Sequence, residues 1–217
     1  MATTYLQLVN NVLVRLRENE VSSVSDTPYS SLIGVLVNDA KREVENATMW
    51  QALNQTIVVT TAAGVRNYSI TGSGQRFRLH QVLNDTSNYE MKSAEANWLD
   101  QQYYLSTVQD ASPIYYNFNG VDSSGDTKVD VWPRPDGVYS LRFDMNVPTP
   151  KLTANSDTVA VPEHLIELLA YAKAVGERGE DGGSSFSEIY QQYRLALADE
   201  VAIERNRYDD DVQWEAT

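Results

Sequence analysis

Val129-Asp130-Val131-Trp132-Pro133-Arg134-Pro135-Asp136-Gly137 is followed by Val138-Tyr139-Ser140-Leu141-Arg142-Phe143, and this stretch decides how the chain is read. A β-branched run stops at a Pro-x-Pro-Asp-Gly sequence and resumes as an alternating one. Proline fixes φ and removes a backbone donor, and Asp-Gly suits a tight reversal. The reading is therefore a strand, a turn and a return strand. The same texture extends toward the N-terminus. Further strands are expected at 55–61, 67–70, 76–83, 89–92, 114–118, 128–132 and 139–145. Ala62-Ala63-Gly64, Thr71-Gly72-Ser73-Gly74, Asn84-Asp85 and Asn119-Gly120 punctuate them. One short helix is expected at 94–103. Short strands with regular turns predict an antiparallel β-sandwich or small barrel.

On both flanks the apolar period changes from two to between three and four. Residues 4–18 predict a first helix, with Leu6, Val9, Leu13 and Leu16 on one stripe and Tyr5 and Val12 widening it. Pro28 opens a second helix to Trp50, since its missing N–H is no loss in a first turn. Its stripe is Ile33, Leu36, Val37, Ala40, Val44 and Ala47; Asp39, Lys41, Arg42, Glu43 and Glu45 are expected to face water. Residues 146–158, with Pro148 and Pro150, read as a linker. Pro162 opens a third helix (Leu165, Leu168, Leu169, Ala172 and Val175 inside) that stops at 179–183. Ser185 and Glu188 have the spacing of a capping box before a fourth helix that runs to Arg207. Phe186, Ile189, Tyr193, Leu197 and Val201 form its stripe. Residues 208–217 have no helical stripe and read as an extended tail.

None of these helices can bury its stripe alone. The economical fold is α+β. Residues 1–52 and 160–207 form an antiparallel four-helix bundle. Residues 53–159 form the β-rich domain, inserted between the second and third helices, and residues 208–217 form the tail.

Composition narrows the function. Hydrophobic residues are 42% and charged residues 22% of 217, an ordinary globular mix. The net charge of -13 disfavours duplex binding, which needs Lys and Arg to neutralise phosphates. There is no cysteine, so disulfides, thiolate metal sites and cysteine nucleophiles are excluded. No signal peptide is read at the N-terminus, and no run approaches the roughly 20 apolar residues that span a bilayer. Glycosylation sequons such as those at Asn46, Asn54 and Asn84 are chance matches without secretion. The expected protein is soluble, made in the cytosol and not membrane-bound.

Candidate chemistry is thin. His164, with Glu163 and Glu167, stands in a first helical turn, and a His–Glu pair one turn apart can ligate a metal. No other helix supplies a matching Glu-x-x-His, so a surface histidine is the expected reading. His80 falls in a strand. There is no G-x-S-x-G elbow, Walker loop or dinucleotide fingerprint. No enzyme, cofactor or metal is expected. Trp98, Tyr103, Tyr104, Tyr115, Tyr116 and Trp132 cluster in the β region, as sugar-stacking aromatics do. Adjacent Tyr115 and Tyr116 must point to opposite faces of a strand, which favours core and interface roles.

The order of elements resembles a known family. Tyr5-Leu6-Gln7-Leu8-Val9-Asn10, Leu36-Val37-Asn38-Asp39-Ala40-Lys41, Trp50 before the first β run, the Pro-Asp-Gly turn and Val159-Ala160-Val161-Pro162-Glu163 opening a helix carry the likeness. Together they resemble the head-to-tail adaptors of short-tailed phages, also called connectors or tail tubular protein A. That resemblance implies a virion structural protein at the head–tail junction, assembled in the host cytoplasm. It also implies a ring of about twelve copies between portal protein and tail nozzle protein, around a channel for DNA. An acidic ring suits such a channel, because it repels passing DNA over a Debye length of about 8–10 Å. The alternative is a β-sandwich binding module, for glycan or protein, on a helical stalk.

The tail is the expected contact with a partner. Tyr208, Val212 and Trp214 are apolar or aromatic residues with no core of their own, and Asp209, Asp210 and Asp211 would steer them toward a basic groove. The expected acceptor is a neighbouring component of the ring, the portal above all.

Overall fold

The protein is described by a computed structural model that covers residues 3–179 and 184–207. The chain divides into two compact units. One draws on Met1–Ala52 and Thr149–Thr217; the other is Leu53–Pro148. Among the described residues there are five helices and two four-stranded sheets, so the class is α+β.

In the first unit, α1 (Tyr5–Arg15) opens on a capping box: the Gln7 N–H donates to Thr4 Oγ1 (3.3 Å) and the Thr4 N–H to Gln7 Oε1 (2.9 Å). α2 (Pro28–Ala47) opens on Thr27 and Ser30 in the same way, with Pro28 in its first turn. α4 (Glu163–Arg178) ends at Gly179, whose φ of 62° is the left-handed cap that glycine adopts without strain. α5 (Ser184–Arg205) follows. Ser185 therefore lies inside the first turn of α5 and not at its N-cap, which corrects the capping-box expectation. α4 packs against α1, α2 and α5. That explains why Leu165, Ile166, Leu169, Ala170, Ala172 and Ala174 are all buried: its neighbours leave little free circumference. On α1, Leu8 is fully buried while Leu6 is half-buried.

Two expected surface charges are buried. The side chains of Lys41 and Glu45 are 3% and 2% exposed and pair at 3.0 Å within α2. The segment after residue 148 explains this. Lys41 Nζ also donates to the Thr149 carbonyl (2.8 Å), and Thr149 Oγ1 donates to Glu45 Oε1 (2.6 Å). One turn earlier, Asn38 Nδ2 donates to the Leu152 carbonyl (3.1 Å), and the Leu152 N–H donates back to Asn38 Oδ1 (2.8 Å). The Tyr5 N–H then reaches the Asp157 carbonyl at 2.7 Å. Residues 149–157, a linker by composition, lie along the helices as a strap.

In the second unit, one sheet has the order β1 (Asn54–Thr60), β8 (Ser140–Asn146), β3 (Arg78–Asn84), β4 (Tyr89–Glu90). The other runs β2 (Asn67–Ser69), β7 (Thr127–Trp132), β6 (Tyr115–Val121), β5 (Lys92–Ser93). Val59, Val82, Leu141, Phe143 and Met145 of the first share one core with Tyr116, Val129 and Val131 of the second. Three expectations change. The sheets are open and not a closed barrel. The β5–β6 pair is parallel, whereas the others are antiparallel. β7 and β8 do not form a hairpin, because the Pro133–Gly137 turn carries the chain from one sheet to the other.

Two substitutions test the helical unit. A Cβ on Gly34 would meet the Tyr5 hydroxyl and, at 2.6 Å, Val24 Cγ1. Gly34→Ala should therefore lower stability in urea by about 1–3 kcal/mol despite its better helix propensity. Lys41→Met strands a buried carboxylate and should cost about 3–5 kcal/mol, of which the double change with Glu45→Leu should recover most. Unfolding midpoints of the three variants check both statements.

Candidate partner-docking surface

The sequence-predicted tail residues, Tyr208, Asp209, Asp210, Asp211, Val212 and Trp214, lie outside the described residues. The histidines are within them. His80 on β3 is exposed, its Nε2 3.1 Å from Asn54 Oδ1. His164 Nε2 stands 3.5 Å from Glu200 Oε1 of α5. Glu167 is turned to α1, where it accepts from Asn11 Nδ2 (2.6 Å) and from Arg15 (3.1 Å). The His164–Glu167 pair is thus split between two helices. Among the described residues no group of three or more His, Asp or Glu is placed to hold a metal, and no helix is long and apolar enough to cross a membrane.

The aromatics of the β unit are packed on one another. α3 (Ala96–Tyr104) lies against the second sheet: Trp98 meets Tyr115 edge-on at 5.1 Å, and Tyr103 meets Trp132 at 5.0 Å. Tyr116 points the other way, to Phe118 and Phe143. The Tyr103 hydroxyl donates to the Val131 carbonyl, and burial pushes its pKa well above the ordinary tyrosine value. Arg66 lies over the Tyr103 ring at 4.6 Å, and Asp130 (3.5 Å) and Asp100 (3.7 Å) answer its charge. Of the six aromatics singled out from sequence, Tyr104 alone is strongly exposed, at 72%.

Tyr104 belongs to a surface that sequence reasoning did not assemble. The chain enters β1 and leaves β8 at one end of the unit. The opposite end gathers the loops 61–66, 85–88, 105–114 and 133–139, by the register of Thr60 with Ser140, Asn84 with Leu141, and Tyr115 with Trp132. These loops are bolted together. The Gly64 N–H donates to the Pro135 carbonyl (2.8 Å) and Thr61 Oγ1 to the Gly137 carbonyl (3.0 Å). The Tyr68 hydroxyl donates to the Ala62 (3.0 Å) and Val65 (2.8 Å) carbonyls. Arg134 makes a two-pronged pair with Asp110 at 2.6 and 2.8 Å, and this hydrogen bonding holds the Asp110 carboxyl below the usual carboxylate range. Asp136 accepts from the Tyr139 hydroxyl, which raises that tyrosine's pKa.

At this end Leu105 is 80% and Val138 70% exposed, with Tyr104 exposed and Val65 half-exposed. Single exposed apolar residues are ordinary; several on loops that are hydrogen-bonded to one another make a candidate contact surface, because little order would be lost on binding. Val65 and Val138 adjoin the turn signals at Gly64 and Gly137, whereas nothing local marks Tyr104 or Leu105; the interlocked loops bring the four to one end.

A family model described as SU10 adaptor protein matches residues 3–214. No curated protein matches the chain.

If Tyr104 and Leu105 serve contact and not folding, Tyr104→Ser with Leu105→Ser should leave the unfolding midpoint within about 0.5 kcal/mol of the parent. Tyr103→Ala, one position away, should cost about 3 kcal/mol, because it empties the space between α3 and the sheet. Thermal melts of the two proteins decide the point.

Proposed function

The chain belongs to the SU10 adaptor protein family, and on that premise we propose that it is a head-to-tail adaptor of a short-tailed phage. It is a phage adaptor-type structural protein. The finer reading is that it is of the tail tubular protein A kind and assembles as a ring of about a dozen copies. The ring sits at the head–tail junction between portal and tail nozzle, is assembled in the host cytoplasm, and leaves a channel through which DNA passes without specific binding. α1, α2, α4 and α5 act in this reading as one four-helix bundle, into which the β unit is inserted.

The observation that carries the proposal is the span of the match, residues 3–214, which takes in both units and not one module. Charge supports it. The β unit holds 7 Lys and Arg against 10 Asp and Glu, and the rest of the chain holds 10 against 20. Acidic charge is thus concentrated in the helical unit, where it opposes phosphate. The near-neutral β unit carries the rigid apolar loop end, which suits contact with another protein. The alternative of a glycan-binding sandwich needs several aromatics open on one face. Here Trp98, Tyr103, Tyr115 and Trp132 pack on each other instead.

Electron microscopy of the chain mixed with the portal protein of its phage tests the reading. The expected result is rings with an axial opening, seated on the portal, that do not retain duplex DNA at physiological salt. A portal left bare by the purified chain would refute it.

A further inference from the structure

β1 is a long edge that no described residue covers with a further strand. Among the described residues it pairs only with β8, in unbroken antiparallel register from Asn54–Asn146 to Thr60–Ser140. The Val147 N–H donates to the Leu53 carbonyl, and the Thr61 N–H to the Tyr139 carbonyl. Hydrogen-bonded pairs alternate along an antiparallel ladder, so the odd residues 55, 57 and 59 bond to β8. The backbone N–H and C=O groups of Asn54, Thr56, Val58 and Thr60 point away from the sheet, and among the described residues no backbone group meets them. Proteins usually blunt such an edge with charge, proline, a bulge or shortness. The other sheet-end strands, β2, β4 and β5, are two or three residues long. β1 has seven, includes no proline and is mostly exposed. From Asn46 to Val65 there is no charged residue in a chain that is 22% charged.

The same chain holds a segment with the pattern of a missing strand. Val212-Gln213-Trp214-Glu215-Ala216-Thr217 alternates apolar and polar residues without a break, with a β-branched and an aromatic residue on its apolar side. Tyr208 to Asp211 precede it, and these four residues can span about 13 Å as a tether.

We propose that residues 212–217 of one copy add as a strand to the free edge of β1 in the neighbouring copy. This rests on the ring reading above, since each copy then gives one strand and receives one. A contact of that kind repeats head to tail and closes with no edge left open. The uncharged edge matters, because it is a place where two copies of charge -13 meet without facing like charges. Main-chain bonding supplies the hold, and Val212 and Trp214 supply side-chain contact on one face.

Amide hydrogen exchange on the full-length chain, with light scattering, over about a hundredfold range of concentration, tests this. Thr56, Val58 and Thr60 amides should slow by about tenfold or more as the chain associates. Val58→Pro removes an outward N–H without touching the β1–β8 ladder, and Trp214→Arg spoils the donor. Both should abolish association and protection while leaving circular dichroism unchanged; should Val58→Pro not fold, Val58→Lys takes its place. An excess of a peptide spanning 208–217 should dissolve the assemblies yet keep the three amides protected. The proposal fails if the three amides exchange freely in the associated state, or if association survives both variants. It fails as well if protection is independent of concentration, which would place the strand on its own copy. Portal attachment lost with Trp214→Arg while these amides stay unprotected would make the portal the tail's acceptor. Should the chain not assemble on the portal but pass this test, the ring reading alone is at fault.

Discussion

The helical unit depends on how the chain is fastened after it returns from the β unit. Lys41 and Glu45 form a fully buried ion pair, and such a pair is tolerable only when its remaining hydrogen-bonding capacity is met. Here the strap meets it, through the Thr149 carbonyl and hydroxyl. Asn38 does the same one turn away with both sides of its amide. The arrangement is directional in a way that apolar packing is not. A strap slipped by one residue would leave a buried lysine, a buried carboxylate and a buried amide without partners, each costing kilocalories. The polar set therefore fixes where the strap lies, while the surrounding apolar residues supply the bulk of the burial.

Similar ties hold the other helices in register. Glu167 joins α4 to α1 through Asn11 and Arg15. Arg178 holds the Tyr29 hydroxyl and lies over its ring, at the far end of α4. Glu204 accepts from the Gln51 N–H, fastening the end of α5 to the chain that leads into the β unit. No buried side-chain nitrogen or oxygen is left without a partner among the described residues. The charged residues of this acidic protein thus divide into a few that specify helix packing and many that remain solvated. The β unit differs in kind: its two sheets meet through an apolar core, and polar bonds tie its loops together at both ends, 61–66 with 133–139 and 71–74 with 122–127.

Most of the secondary structure was legible. The strand reading of Thr127–Trp132 and Ser140–Asn146 holds because β-branched alternation and proline punctuation are local properties of the chain. The helix starts near residue 4, at Pro28 and at Pro162 were visible for the same reason. What was not legible is partnership. The turn at Pro133–Gly137 has the chemistry of a hairpin, yet β7 pairs with β2 and β6 in one sheet while β8 pairs with β1 and β3 in the other. Lys41 and Glu45 have the spacing of a surface helical pair. Only a strap arriving from more than a hundred positions later turns that pair inward. Likewise nothing around Tyr104, Leu105 and Val138 says that loops distant in sequence place them at one end.

What the sequence determined by itself was the alphabet of elements, their order, the absence of cysteine chemistry and the acidic balance, since each is written in neighbouring residues or in composition. It also determined that His164 and Glu167 are one turn apart, but not that they serve different helices. The tertiary structure decided which strands pair, which charges are buried, which edge stays open and which apolar side chains meet the solvent together. Those outcomes rest on contacts between segments far apart in the chain, whose free energy depends on the whole packing and leaves no local signature.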